Sequence, residues 1–201
     1  MADFAEAARL DPRYQSASRS FPHLGITFFD EDNKLAELDR TIERDPSKAE
    51  AYTLRCVINL SKGNSERAIA DATDAIRLGS KDVANYKNRG IAYGRRGEYD
   101  AAIADFTEAI RLNPRMALSY HNRGEVYRAK MEFDKAIADF DQAVRLHPKS
   151  GAAFRNRGFA HFAMKDHAKA IEDFTQAIRL DAGDMLATSA LAWLLATCTD
   201  H

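Results

Sequence analysis

Asn88, Asn122 and Asn156 stand 34 residues apart, and each is followed by Arg and Gly. A carboxamide offers a donor and an acceptor together, the pairing a peptide bond needs, so amides at a fixed interval could hold the backbone of an extended polypeptide with little regard to its side chains. One residue earlier come Lys87, His121 and Arg155, and Arg95 and Arg128 lie further along. Such a basic column would steer Asp, Glu, phosphate or a terminal carboxylate toward it. Each pattern also has a plainer use: the amides can join helix to helix, because buried polar groups need partners, and charges on helices are often solvated surface. Catalytic groupings are missing. His23, His121, His147, His161, His167 and His201 are scattered with no H-E-x-x-H pair, no Cys or Asp cluster has metal-ligand spacing, and there is no Walker lysine loop or G-x-S-x-G. The sequence therefore predicts no enzyme, no metal and no cofactor.

The elements that must position these residues share their period. Gly90, Gly124 and Gly158 form one column, extended by Cys56 and Ala192. A second column holds Ala72, Phe106, Phe140 and Phe174, a third Ala75, Ala109, Ala143 and Ala177. Arg-Leu closes units at Arg77-Leu78, Arg111-Leu112, Arg145-Leu146 and Arg179-Leu180, with an earlier Arg9-Leu10, and a proline column holds Pro12, Pro46, Pro114 and Pro148, with Ser80 and Ala182 in that place elsewhere. A unit of this length is too short to bury its own apolar face and must stack on its neighbours. Each unit reads as two helices. The first spans about 83–96, with Tyr86, Gly90 and Tyr93 at helical spacing; Gly97 supplies a turn; the second starts near Asp100 as N-cap, buries Ala102, Ile103, Phe106 and Ala109, and stops at Asn113-Pro114. Arg55, Arg89, Arg123 and Arg157 each have an Asp sixteen residues on, Asp71, Asp105, Asp139 and Asp173. If each first helix packs antiparallel on its second, a bidentate pair would set their register. These arginines could instead line a groove, but recurrence with an acidic partner favours scaffold.

These columns resemble the tetratricopeptide repeat family. Tyr86, Gly90, Tyr93, Ala102, Phe106 and Pro114 fill its signature in one unit, and Tyr120, Gly124, Tyr127, Ala136, Phe140 and Pro148 in the next. Phe154, Gly158, Ala170 and Phe174 continue it, with His161 in an aromatic place. The unit holding Tyr52 and Ala68 is weaker, with Cys56, Asn59 and Ala72 in place of Gly, aromatic and Phe, and every unit has Arg where Leu is usual before the Gly. The resemblance covers about 49–198. It implies an all-α, right-handed superhelical solenoid of antiparallel helix pairs whose first helices line a concave groove. The Asn column then faces that groove and resembles the asparagine ladder of O-linked N-acetylglucosamine transferase. The carboxylate clamp of the family's chaperone-binding members is not matched, because Val57 and Ile91 stand where an asparagine is expected. Phe159 and Phe162 supply either apolar footing for a ligand or core.

On this reading residues 1–48 hold a half-repeat, with Phe4, Ala7, Leu10 and Pro12 in second-helix columns, and a degenerate repeat with Leu35, Leu38 and Ile42 on one face and Pro22 breaking its first helix. Repeats occupy 49–82, 83–116, 117–150 and 151–184, and 185–201 is a capping helix or the start of another repeat. Ser16, Ser18 and Ser20 beside Arg13 and Arg19 read as a loop. Because both ends stop mid-unit, the sequence reads as part of a longer chain, with a capping helix or self-association through the apolar end helix as alternatives.

Forty-five per cent apolar and 29% charged residues suit a helical chain, and a net charge of −1 argues against a nucleic-acid partner. There is no apolar run long enough for membrane insertion and no signal-peptide core at the start. Cys56 and Cys198 give no disulfide framework, so a reduced, cytoplasmic setting is expected. The expected function is an adaptor that takes an extended, acidic protein segment. The alternatives are a homo-oligomeric scaffold and a regulatory or substrate-docking arm of a larger enzyme.

Overall fold

A computed structural model describes residues 31–198, and among them every regular element is an α-helix. The helices are α1 (Glu31–Arg44), α2 (Ala49–Ser61), α3 (Ser65–Arg77), α4 (Val83–Arg95), α5 (Tyr99–Leu112), α6 (Ala117–Ala129), α7 (Phe133–Leu146), α8 (Gly151–Ala163), α9 (His167–Leu180) and α10 (Met185–Cys198). The readings of residues 1–30, including the half-repeat at Phe4 to Pro12, the Pro22 break and the serine-rich loop, lie outside the described residues. The chain divides into two compact units, one reaching to Asn88 and the other starting at Arg89.

In the first unit Leu38 of α1 is buried against Ala51 and Ile58 of α2, with Leu35, Ile42 and Leu54 around them. The α2–α3 hairpin closes over Cys56, Ala68, Ala72 and Ala75, all fully buried. In the second unit each hairpin is organised by one Phe. Phe106, Phe140 and Phe174 are buried on α5, α7 and α9, and a Cβ placed on Gly90, Gly124 or Gly158 would come within 2.9, 2.8 or 2.9 Å of the corresponding ring. Gly is therefore required there because a ring occupies the space a side chain would need.

Arginine ties the helices together. Arg123 Nε and Nη2 donate to Asp139 at 2.8 Å each, and Arg89 holds Asp105 the same way, again at 2.8 Å. Arg157 Nη2 meets Asp173 and Arg55 Nη2 meets Asp71, both at 2.6 Å. The third guanidinium nitrogen reaches backward. Nη1 bonds Asp39 from Arg55, Thr107 from Arg123 and Asp141 from Arg157, sixteen residues earlier in each case. One planar fork thus joins a first helix to its own second helix and to the preceding one, a geometry Lys cannot reproduce. The Asp139 hydrogen bonds push the Arg123 guanidinium further up, against the opposing effect of burial.

The turns between paired helices place one residue in the left-handed region: Gly63 and Gly97 at φ 77° and 78°, then Met131 and Lys165 at 61° and 63°. Asp100 differs from expectation. Helix α5 begins at Tyr99 after Glu98 as N-cap, so Asp100 lies inside the first turn, where it accepts from Lys130 at 2.5 Å. Side-chain caps occur where Ser150 and Asp166 accept from the amides of Ala153 and Lys169.

Candidate functional site

The first helices of the second unit carry most of the candidate binding residues. On α6 the sequence Ala-Leu-Ser-Tyr-His-Asn-Arg-Gly-Glu puts His121, Glu125 and Arg128 along one helical strip, since residues three and four apart are neighbours. The corresponding strip on α8 carries Arg155, Phe159 and Phe162. On α10 it carries Ser189, Trp193 and Ala196.

His121 and Asn156, from different columns of adjacent repeats, come together through Glu125, which lies outside the predicted site residues. Asn156 Nδ2 donates to Glu125 Oε1 at 2.9 Å and lies 3.4 Å from His121 Nε2, while Glu125 Oε2 is 3.7 Å from that same nitrogen. Asn156 is buried in this cluster. Burial pulls the His121 imidazole below its ordinary range, with Arg155 and Arg128 acting in the same sense and Glu125 opposing them. The ring also sits edge-on to Phe140, 5.7 Å between centroids. A cleft of about 140 Å³ opens beside it, walled by Leu118, Ala143, His147 and Ser150.

Asn122 is half-buried, and its Nδ2 has no acceptor among the described residues. Arg155 is engaged: its Nη1 lies 2.8 Å from Asp184, and both side chains are largely buried. Its charge is thereby matched inside the protein. Arg128 is half-buried and Arg95 is exposed. Lys87 and Asn88 belong to the first unit. There Asn88 is buried, and Lys87 is half-buried, with burial pulling its ammonium down.

The strips on α8 and α10 carry aromatic rings. Phe159 packs on Phe174 at 4.9 Å between ring centroids, Phe162 stacks on His167 at 6.0 Å, and Trp193 stands edge-on to Phe162 at 5.5 Å with 56% of its surface exposed. Phe159 is therefore part of the core contact, while Phe162 and Trp193 form the rim. Neither Glu125 nor Trp193 was read as a site residue, although both lie in the Phe159 column, four residues after the basic one. That periodicity was the signal available. Among the described residues no group of three His, Cys, Asp or Glu is placed to share a metal ion, and no helix is long and apolar enough to cross a membrane.

Helix pairs locked by Gly–Phe and Arg–Asp contacts at one repeat length define a helical-repeat protein. The tetratricopeptide repeat model matches residues 87–150 and 121–184. The chain is a tetratricopeptide repeat protein. Solved structures share its fold: MamA, at 24% identity over 76% of this chain and 90% of that one, has a TM-score of 0.72. YrrB, described as a TPR protein with an unusual peptide-binding site, is 22% identical over 93% of this chain and 96% of that one, also at 0.72. The first TPR of Spaghetti (RPAP3), bound to HSP90 peptide SRMEEVD, is 26% identical over 60% of this chain and 96% of that one, at 0.58. No curated protein matches the chain in sequence.

Proposed function

We propose that the protein is an interaction scaffold, not an enzyme, and that the first-helix face of its second unit takes an extended polypeptide segment. The observation that carries this is Trp193, more than half exposed and propped edge-on against Phe162, in the column that holds Glu125 of the His121–Glu125–Asn156 cluster two repeats earlier. An exposed indole held in one orientation by a second ring is an apolar anchor with little entropy left to lose on binding. The peptide-bound Spaghetti domain and the peptide-binding site named for YrrB support the same use of the fold.

The roles then divide by geometry. Asn122, whose amide nitrogen has no acceptor among the described residues, offers that donor to a backbone carbonyl after a side-chain rotation. Asn156 orients Glu125, and Asn88 has the equivalent column position in the first unit. An apolar side chain of the ligand rests on Phe162 and Trp193. The positive charges of Arg128 and Arg95 support an acidic segment, while Arg155 is matched by Asp184 and burial disfavours the charged forms of His121 and Lys87.

Trp193 is the only tryptophan, so its emission reports on the site directly. The probes are extended synthetic peptides with Glu and Phe on alternate residues, alongside controls carrying Lys for Glu or Ala for Phe. The Glu/Phe peptides are expected to shift Trp193 emission saturably, and Phe162→Ala or Asn122→Ala to weaken that binding about tenfold, a typical cost of losing one anchor. Capture unaffected by either substitution, or equal for all peptides, rejects the site.

A further inference from the structure

The last helix, α10, presents two faces. One packs inward: Ala187 and Leu194 are fully buried with Ala170, Phe174 and Ala177 of α9. The other corresponds, one repeat on, to the face by which α8 receives α9. On α8 that face consists of Gly151, Arg157, Gly158 and His161, which meet Leu180, Asp173, Phe174 and Asp173 respectively. One repeat later the same columns hold Met185, Leu191, Ala192 and Leu195. Met185 is 71% and Leu195 48% exposed, Ala192 is exposed too, and only Leu191 is partly packed. No residue from Met185 to Cys198 is charged, so this face is uncharged along its whole length.

Charge decides what can cover this face. The second helices α3, α5, α7 and α9 each carry a buried Asp that meets an Arg: Asp71, Asp105, Asp139 and Asp173. On α10 the Arg column is Leu191. A second helix of the usual type would bury its carboxylate against leucine with no cation, which costs several kcal/mol. The stretch from Asp3 to Leu10 repeats the second-helix pattern with the same Asp, so its sequence is equally unsuited. The occupant must be an uncharged apolar helix face, and α10 of another copy is one.

We propose that α10 pairs antiparallel with α10 of a second copy, forming a closed two-fold dimer. Antiparallel is the direction in which α8 receives α9. It sets Met185 of one chain opposite Leu195 of the other, and the small side chains of Thr188 and Ala192 opposite each other at the centre, where the backbones can approach closely. An isologous contact of this kind uses the same patch on both copies and stops at two, whereas a head-to-tail contact keeps adding chains. One helix face is a small interface, so the dimer is weak, with a dissociation constant in roughly the micromolar range or above. Trp193 lies off this face, which separates the pairing from peptide capture.

Light scattering on the full chain over a concentration series tests the proposal. The wild type is expected to rise from the 22.5 kDa chain mass to twice that and no further. Met185→Glu alone or Leu195→Lys alone should weaken the dimer at least about tenfold, since each buries an unpaired charge in the contact. Both positions are exposed, and acidic and basic residues suit the helix start and end respectively, so helicity is retained. The double variant M185E/L195K places opposite charges across the two-fold and should regain dimer. A wild type that stays monomeric up to about 1 mM, masses that grow past the dimer, or a Leu195→Lys variant that dimerises like wild type would each overturn it. Peptide binding read by Trp193 emission should survive in the monomeric variants, so failure of one proposal leaves the other standing.

Discussion

The α2–α3 hairpin of the first unit and the α6–α7 hairpin of the second solve one packing problem with opposite choices. In α6–α7 the first helix has no side chain at Gly124 and the second fills the gap with Phe140. In α2–α3 the gap is filled from the other side: Cys56 is fully buried facing the equally buried Ala72. The aromatic place on the first helix, thirteen residues before the Phe column, differs as well. Asn59 occupies it in α2 and donates to Asp71 at 2.9 Å, whereas Tyr127 occupies it in α6 beneath Lys135. What recurs is therefore burial across the contact, not residue identity: Cys with Ala in one hairpin and Gly with Phe in the other are both buried. Close packing explains this, because the helix separation fixes the space and either helix can supply the atoms.

Exchanging the two solutions tests that account most severely. Phe140→Ala leaves a cavity against Gly124 and should cost about 3–5 kcal/mol in chemical denaturation. Ala72→Phe should cost about 1–3 kcal/mol by overpacking against Cys56. Adding Cys56→Gly to Ala72→Phe rebuilds the pair seen in the second unit and should recover at least half of that loss, a coupling readable from a double-mutant cycle. Additive losses would mean the two columns do not share one space.

A smaller effect separates the units by pH. Above its unfolded pKa near 6.5, His121 is neutral in both states and its burial costs nothing in charge. Its folded pKa is depressed by burial, with Arg155 and Arg128 contributing. As pH falls through 6.5 toward that lower value the unfolded chain binds the proton more readily, so stability is lost on acidification. His161, also lowered by burial, adds in the same sense. Both residues lie in the second unit. Between pH 7.5 and 5.5 its melting temperature should drop by a few degrees, and His121→Asn should reduce that drop. An unchanged slope in the variant would assign it elsewhere.

The smallest contrast lies in the turns. Gly63 and Gly97 take the left-handed position in the first two of these turns, while Met131, 76% exposed, takes it in the next at φ 61°. Met131→Gly gives up little contact and relieves backbone strain. A gain of about 0.5–1 kcal/mol in denaturant midpoint is expected. The same substitution at Lys165 should act alike, whereas a loss at both would place the side chains in unrecognised contacts.

Much of the fold was legible because its contacts repeat. The Arg89–Asp105 pairing recurs at one separation in all four hairpins and Gly90 with Phe106 in three of them, so sequence columns reveal a spatial pairing before any coordinates exist. The candidate site was legible only in part. Asp184, the partner of Arg155, has no acidic counterpart at Ser150 or Met116, and Glu125, the partner of Asn156, has Ile91 and Phe159 in its column. Contacts made once leave no period to read. The second role of the arginines was missed for a different reason: Asp39, Thr107 and Asp141 share only a hydrogen-bond acceptor, not a residue type.

By itself, then, the sequence determined the helix pairs, their repeat length and the side chains that lock each pair, because these follow from local periodicity and from complementary columns a constant distance apart. Only the tertiary structure decided which polar groups remain available to a ligand. Availability depends on what each side chain meets on the neighbouring helix: Arg155 is neutralised by Asp184, Asn156 is held by Glu125, and Trp193 is left standing at the rim. Charge and amide chemistry can be read from residue type, but whether they are already satisfied is a property of packing.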